Sequence, residues 1–201
     1  FELALLAVVG SLLVGVPAGI GLSRYRSRMT GVVGVLLLAP ITFPGIALSL
    51  AIFVFLVLIE ATTGLVFVGF LGLVVAHVLI TVPWVVRLCV ASLANHDRAS
   101  EEAAASLGAR PAQVIWRVTL PAMRGGIVAA ALFAFIVSFD NLEMALFLAA
   151  PGVTTLPVAI LEYLEYHIDP LVAAVAVAQI VIIGTVLLVL DRLVRLTKVA
   201  I

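Results

Sequence analysis

Charge is scarce in this sequence: 11% of the 201 residues are Asp, Glu, Lys or Arg, about half the share of an ordinary soluble domain. Lysine occurs once, as Lys198, and no G-x-x-x-x-G-K-[ST] run precedes it, which excludes a phosphate-cradling nucleotide loop. Cysteine also occurs once. Cys89 closes no intrachain disulfide and holds no metal cluster by itself, so it reads as a small apolar filler. Gly/Ser linkers, low-complexity tracts and convincing internal repeats are lacking, and residues 1–201 read as a single domain. Alternating strands of about ten residues, the signature of a membrane barrel, are lacking too. Ser49, Ser92, Ser106 and Ser138 have no G-x-S-x-G context, which argues against an intramembrane hydrolase. His77, the one histidine well inside an apolar run, reads as a hydrogen-bonded packing residue.

What the chain does have is apolar surface. It is 65% hydrophobic with a mean hydropathy of +1.35, more than one soluble core can bury, so lipid must solvate the excess. Five apolar runs lie near residues 2–22, 32–59, 65–88, 125–149 and 171–190, each long enough to cross about 30 Å of hydrocarbon as a helix. Each is predicted helical because backbone groups in lipid have no water to bond, which makes this an all-α integral membrane protein. The first run reads as a span rather than a leader, because Glu2 stands where a basic region belongs and apolar runs continue after it.

The net charge of zero says nothing about partners, but its distribution is informative. The eleven basic residues fall in three clusters, each after an odd-numbered run: Arg24, Arg26 and Arg28; then Arg87, Arg98, Arg110, Arg117 and Arg124; then Arg192, Arg195 and Lys198. The intervening connections carry Glu60, Glu162, Glu165 and Asp169 and no basic residue. By the positive-inside rule the first run then points inward, the Arg98–Arg117 segment is cytoplasmic, the 150–170 loop faces outward and the C-terminus is inside. A first span running inward from Phe1 also predicts an earlier helix ahead of it, for six in all. Pro17, Pro40, Pro44 and Pro83 lie inside the runs, where membrane bundles tolerate kinks. Pro40 and Pro44, followed by Gly45, mark the strongest candidate for a bent or interrupted helix, read as structural. Gly15 and Gly19 permit close helix approach.

Residues 95–121 predict an elbow of two short helices. Asp97 or Ser100 can cap the first, Glu101 and Glu102 suit the positive end of its dipole, and the alanine run favours helix. Gly108 can end it in the left-handed conformation, and Pro111 suits the first position of the next, which should run to about Val118 and stop before Pro121. Such an elbow is built to be gripped by another protein. Trp84 reads as an interface anchor and Trp116 as elbow packing.

Glu102-Ala103-Ala104, then Leu107-Gly108-Ala109, then Leu120-Pro121 resembles the EAA signature of permease subunits in binding-protein-dependent ABC importers. The resemblance implies a type I importer transmembrane domain, with the elbow as the coupling helix that docks on a cytoplasmic ATPase. Glu101, Glu102, Ala103, Ala104, Leu107, Gly108, Ala109, Leu120 and Pro121 would be its contact and shaping residues. It implies two ATPase subunits, a second and related permease chain, an extracytoplasmic binding protein and the bilayer as partners, and no nucleic acid. It implies no cofactor in this chain, ATP and Mg being held by the ATPase, and no catalysis by the chain itself. A bacterial inner-membrane location follows from the same resemblance.

In the fourth run Ser138-Phe139-Asp140-Asn141-Leu142-Glu143 interrupts apolar sequence with two carboxylates, each costing about 2.5–3.5 kcal/mol at mid-membrane on insertion scales. Their spacing places them on one face of a continuing helix, Asp140 about 24 Å from Arg124, where they could draw in a cation from outside. Equally, they could hold the helix end or bond a sister permease. Ser138 to Asn141, Ala145 to Leu148, Pro151-Gly152 and Thr154 to Val158 are similar to the spermidine/putrescine branch of the family. That likeness implies a polyamine or related organic cation as cargo, with Ser138, Asp140, Asn141, Glu143, Glu162 and Tyr163 along its path. Aminophosphonates, thiamine and ferric complexes are the alternatives within the family. Glu162-Tyr163 and Glu165-Tyr166 could form part of the mouth, the docking surface for the binding protein or an interfacial aromatic belt. An ion-driven transporter using Asp140, Glu143 and His77 would require paired broken repeats, which the sequence lacks.

Overall fold

The computed structural model describes residues 1–25, 27–94, 96–149, 152–167 and 170–194. The Arg26, Asn95, Pro151, Asp169, Arg195 and Lys198 of the readings above lie outside the described residues, as does the C-terminus. Among the described residues the secondary structure is helical throughout. Helices α1 (Glu2–Arg24), α3 (Gly45–Thr63), α4 (Phe70–Ala94) and α10 (Leu171–Val194, apolar over Leu171–Val189) are long and apolar enough to cross a membrane. A fifth crossing is available if α6 (Pro111–Ala122) and α7 (Arg124–Phe139), which meet at 70°, form one bent span. Pro17 and Pro83 sit inside α1 and α4 without ending either helix.

Two apolar runs are not continuous helices. The second divides into α2 (Arg28–Leu38), a 3-10 turn over Ala39–Thr42, a break at Phe43, and α3. Pro44 supplies the cause. It has no N–H to donate, and it drives Phe43 into the extended region, with φ −91° and ψ 145°. The span expected at 32–59 is therefore α3, beginning at Gly45, and Arg28–Thr42 is a separate short apolar helix. Ser27 starts α2 through a reciprocal cap with Thr30. The fourth run divides likewise, into α7 and the short α8 (Glu143–Leu148).

The bundle is organised around α4, which α1 and α7 both contact. Glycines allow the closest approach. A β-carbon on Gly15 would stand 2.6 Å from Val85 Cγ1, and one on Gly19 would stand 2.6 Å from Cys89 Cβ. No side chain fits there, so the Gly15/Gly19 pair acts as the sequence indicated. One core gathers Val16, Val85, Cys89, Leu93, Met123 and Ala130 from α1, α4, α7 and the α6–α7 bend. A second gathers Leu56, Leu73, Ala76, Met144, Leu148 and Val158 from α3, α4, α8 and α9 (Leu156–Tyr166). Trp84 packs on Phe133, ring centroids 4.8 Å apart. By contrast only 6% of the apolar window of α3 and none of that of α10 is buried, as in helices solvated by lipid.

The two ends of the bundle differ. Arg24, closing α1, reaches Glu101 in α5 (Ala99–Ser106), so the elbow and the end of α1 share one end. At the other end Phe1, Phe70, Ser138 and Thr154 line one cavity. The segments bearing Arg24 and the central arginine cluster thus meet on one side, as charge alternation demands.

Candidate functional site

The elbow follows from local chemistry. Asp97 Oδ1 accepts from the Ala99 N–H at 2.9 Å in a turn that leads into α5, whose N-cap is Arg98 without a side-chain cap bond, so neither Asp97 nor Ser100 is the N-cap. Gly108 ends it with φ +88°, while the Gly108 and Ala109 N–H groups bond the Ala105 and Ala104 carbonyls. Arg110 is extended, as a residue before proline must be, and Pro111 opens α6. The expected stop before Pro121 does not occur. The helix runs to Ala122 because a π turn over Ile115–Thr119 precedes the proline. There the Leu120 N–H donates five residues back to Ile115, and the widened turn accommodates the proline ring that would otherwise clash with the preceding turn.

The motif residues divide between rooting the elbow and displaying it. Leu120 packs beside the core that holds Met123, anchoring the second helix at its base. Glu102, Ala103, Leu107 and Gly108 are exposed, Leu107 at 90%. Trp116 is 73% exposed. It does not pack the elbow together, which corrects that expectation; the half-buried Ala104 and Ala109 face the cleft between the two helices instead. A cleft of about 260 Å³ between them is lined by Ala104, Leu107, Ala109, Gln113, Val114 and Arg117, among others.

Glu101 behaves differently from its neighbour. Its Oε1 accepts from Arg24 Nη2 at 2.5 Å and from Thr119 Oγ1 at 2.9 Å, and both charged side chains are largely shielded. Sequence reasoning missed this tie, because 77 residues separate Arg24 from Glu101 and no local pattern connects them.

The acidic patch is a helix break. Helix α7 ends at Phe139, Asp140 is its exposed C-cap, and Asn141 Oδ1 accepts from the Met144 N–H at 2.9 Å to start α8. Asp140 and Glu143 therefore do not share a face of one continuous helix. A side-chain amide that caps the next helix competes with the backbone bonds that would have continued α7. Glu143 turns toward α3, where its carboxylate lies against Gly45, the first residue of that helix. Ser138 Oγ lies 2.8 Å from His77 Nδ1, both fully buried, and Phe139 stacks on Phe135.

A cavity of about 580 Å³ opens at this end. It brings Ser138 and Asn141 together with Thr154, Thr155, Leu156 and Pro157, beside Glu2, Phe70 and Phe139. Asp140, Glu143, Glu162 and Tyr163 are not among its lining residues. Glu162 is exposed on α9, and the Tyr163 ring stacks on His167 with centroids 4.8 Å apart. Glu60, in the connection read as outward, accepts from the Phe67 and Val68 N–H groups and so closes its own loop. Among the described residues no cluster of His, Cys, Asp or Glu is arranged to hold a metal.

Residues 11–198 match the family described as binding-protein-dependent transport system inner membrane component. The putrescine transport system permease protein PotI of Escherichia coli K12 is 30% identical over 186 residues, 92% of this chain and 66% of that protein. The chain thus spans just under two thirds of that relative's length. The molybdenum transport system permease protein ModB of Mycobacterium tuberculosis is 35% identical over 189 residues, 89% of this chain and 70% of that protein. The spermidine/putrescine permease PotC of Haemophilus influenzae is 27% identical, over 96% of this chain and 72% of its own. In structure, the inward-facing MetNI methionine ABC transporter superposes with a TM-score of 0.78 at 20% identity, over 96% of this chain and 90% of that one.

Proposed function

The chain belongs to the inner-membrane components of binding-protein-dependent transport systems, and on that premise we propose that it lines the solute path of an importer driven by separate ATPase subunits. Its fold is that of a type I ABC importer permease domain, and the family is non-catalytic, its ATP hydrolysis residing in another polypeptide. The observation that carries the proposal is the elbow. A rooted two-helix projection that exposes Glu102, Leu107 and Trp116 around a cleft has the form of a docking handle. Two ATPases close on such handles, one from each of two permease chains, and the paired bundles open toward a binding protein on the opposite side. The arginine-bearing end is the cytoplasmic one. Glu102→Ala should lower copurification of the cognate ATPase about tenfold while the bundle still folds, the scale of one lost charged contact in a desolvated interface. Undiminished copurification would remove Glu102 from the contact.

For cargo, a polyamine is the reading we favour, supported by the likeness to PotI and PotC and by the exposed carboxylate of Asp140 at the helix break. The ModB likeness supports the competing reading, a different cargo on the same scaffold. Because Glu143 faces Gly45, Asp140 alone should carry the attraction for an entering cation. Asp140→Asn should raise the apparent KM for putrescine uptake into proteoliposomes about three- to fivefold, the range of one partly exposed charge pair. An unaltered KM removes Asp140 from the path, and failure of the parent to take up putrescine removes the polyamine.

A further inference from the structure

We propose that Arg24, at the end of the first span, is a positioning residue that yokes the elbow to the bundle, so that a displacement of the elbow moves α1 and α7 together. The proposal rests on the coupling role given to the elbow above, and extends it to a residue outside the EAA-like segment.

The geometry is a three-way junction on one carboxylate oxygen. Arg24 brings α1 to Glu101 Oε1, and Thr119 brings α6 to the same atom. Thr119 is 2% exposed, and it lies in the π turn next to Leu120, which is packed beside the core. Glu101 belongs to α5, the part of the elbow that carries the exposed motif residues. Without the junction, α5 is held mainly by its packing on α6 and can swing about Gly108, whose backbone alone is in the left-handed conformation between the two helices. With it, α5, α6 and the end of α1 form one body. That body has two outlets into the membrane. One is α1, packed along α4 through Gly15 and Gly19, and the other is α7, entered at Met123. Among the described residues the Arg24–Glu101 pair is the one ion pair present.

An arginine suits this place better than a lysine. Its planar head keeps a fixed direction and several donors, whereas an ammonium on the same stem is a point charge that can follow the carboxylate without holding it. The rank order of variants should reflect this.

The test uses the full chain assembled with its ATPase, Cys89 replaced by alanine and Thr154→Cys installed as a reporter at the distant cavity, which Thr154 lines from an exposed position. The rate of maleimide labelling at residue 154 is measured with and without ATP and Mg, alongside ATP hydrolysis. In the parent assembly nucleotide should change the labelling rate at least about fivefold, the lower scale of coupling between distant sites. In Arg24→Gln that change should fall to less than about twofold while hydrolysis continues, because the motor still turns but its stroke is no longer carried upward. Arg24→Lys should fall between the two, and the exchange Arg24→Glu with Glu101→Arg should recover most of the response. A full nucleotide response in an assembled, hydrolysing Arg24→Gln complex overturns the proposal. So does an exchange variant that behaves no better than Arg24→Gln. Absence of any response in the parent overturns the coupling role of the elbow, and the junction's role falls with it.

Discussion

Gly108→Val is expected to lower ATPase association about tenfold or more, and Gly108→Asn to lower it only a few-fold. The contrast isolates backbone from bulk. Nothing lies within 4 Å of a β-carbon placed on Gly108, yet its φ is +88°. A valine β-carbon therefore clashes with no neighbour, but a β-branched residue held in that region costs about 1–3 kcal/mol, and asparagine tolerates it far better. Relief of that strain would re-aim α5 relative to α6, turning Glu102 and Leu107 away from any common partner. The measurement is the affinity of the purified permease for its ATPase. Equal losses in the two variants would show that the side chain at 108, not its backbone, matters.

Gly15→Leu should lower the melting temperature of the solubilised protein by about 5–10 °C, for an overpacking cost near 2–3 kcal/mol. Even alanine collides at this site: its β-carbon would stand 2.6 Å from Cγ1 and 2.8 Å from Cβ of Val85, which is completely buried. Accommodation requires α1 and α4 to separate, which also opens the core around Cys89 and Met123. Gly21→Leu is the comparison, since a β-carbon there meets nothing within 4 Å. It should be neutral or mildly stabilising, because glycine is a poor helix former. Val85→Ala should rescue Gly15→Ala only in part, because it removes the 2.6 Å contact with Cγ1 and leaves the 2.8 Å contact with Cβ. Similar melting points for the Gly15 and Gly21 variants would refute close packing of α1 on α4.

The elbow was legible because its determinants are local. Asp97 two residues before Ala99, Gly108 at a helix end and Pro111 at a helix start each act on their nearest neighbours, so the sequence alone exposes them. The helix breaks were half legible. Pro40 and Pro44 were visible, but hydropathy is blind to backbone continuity, and apolar residues on both sides disguised two elements as one span. In the fourth run the signal was present in Asn141, a good capping residue, although two carboxylates there invite an electrostatic reading first. The junction at Glu101 could not be read at all. Neither Arg24 nor Thr119 is unusual where it stands, and only the fold brings them to one oxygen. The same fold separated Asp140 from Glu143, which spacing alone had placed on one face.

The bend at Met123 has a mechanical consequence. Helix α6 is about 18 Å long and α7 about 24 Å, at 1.5 Å per residue, and the two meet at 70° around a side chain that is 1% exposed. Two rigid arms joined at such an angle about a buried fulcrum form a bell crank. A sideways push on the tip of the short arm delivers torque, not axial thrust, and the far tip of the long arm sweeps through a distance about a third greater than the push.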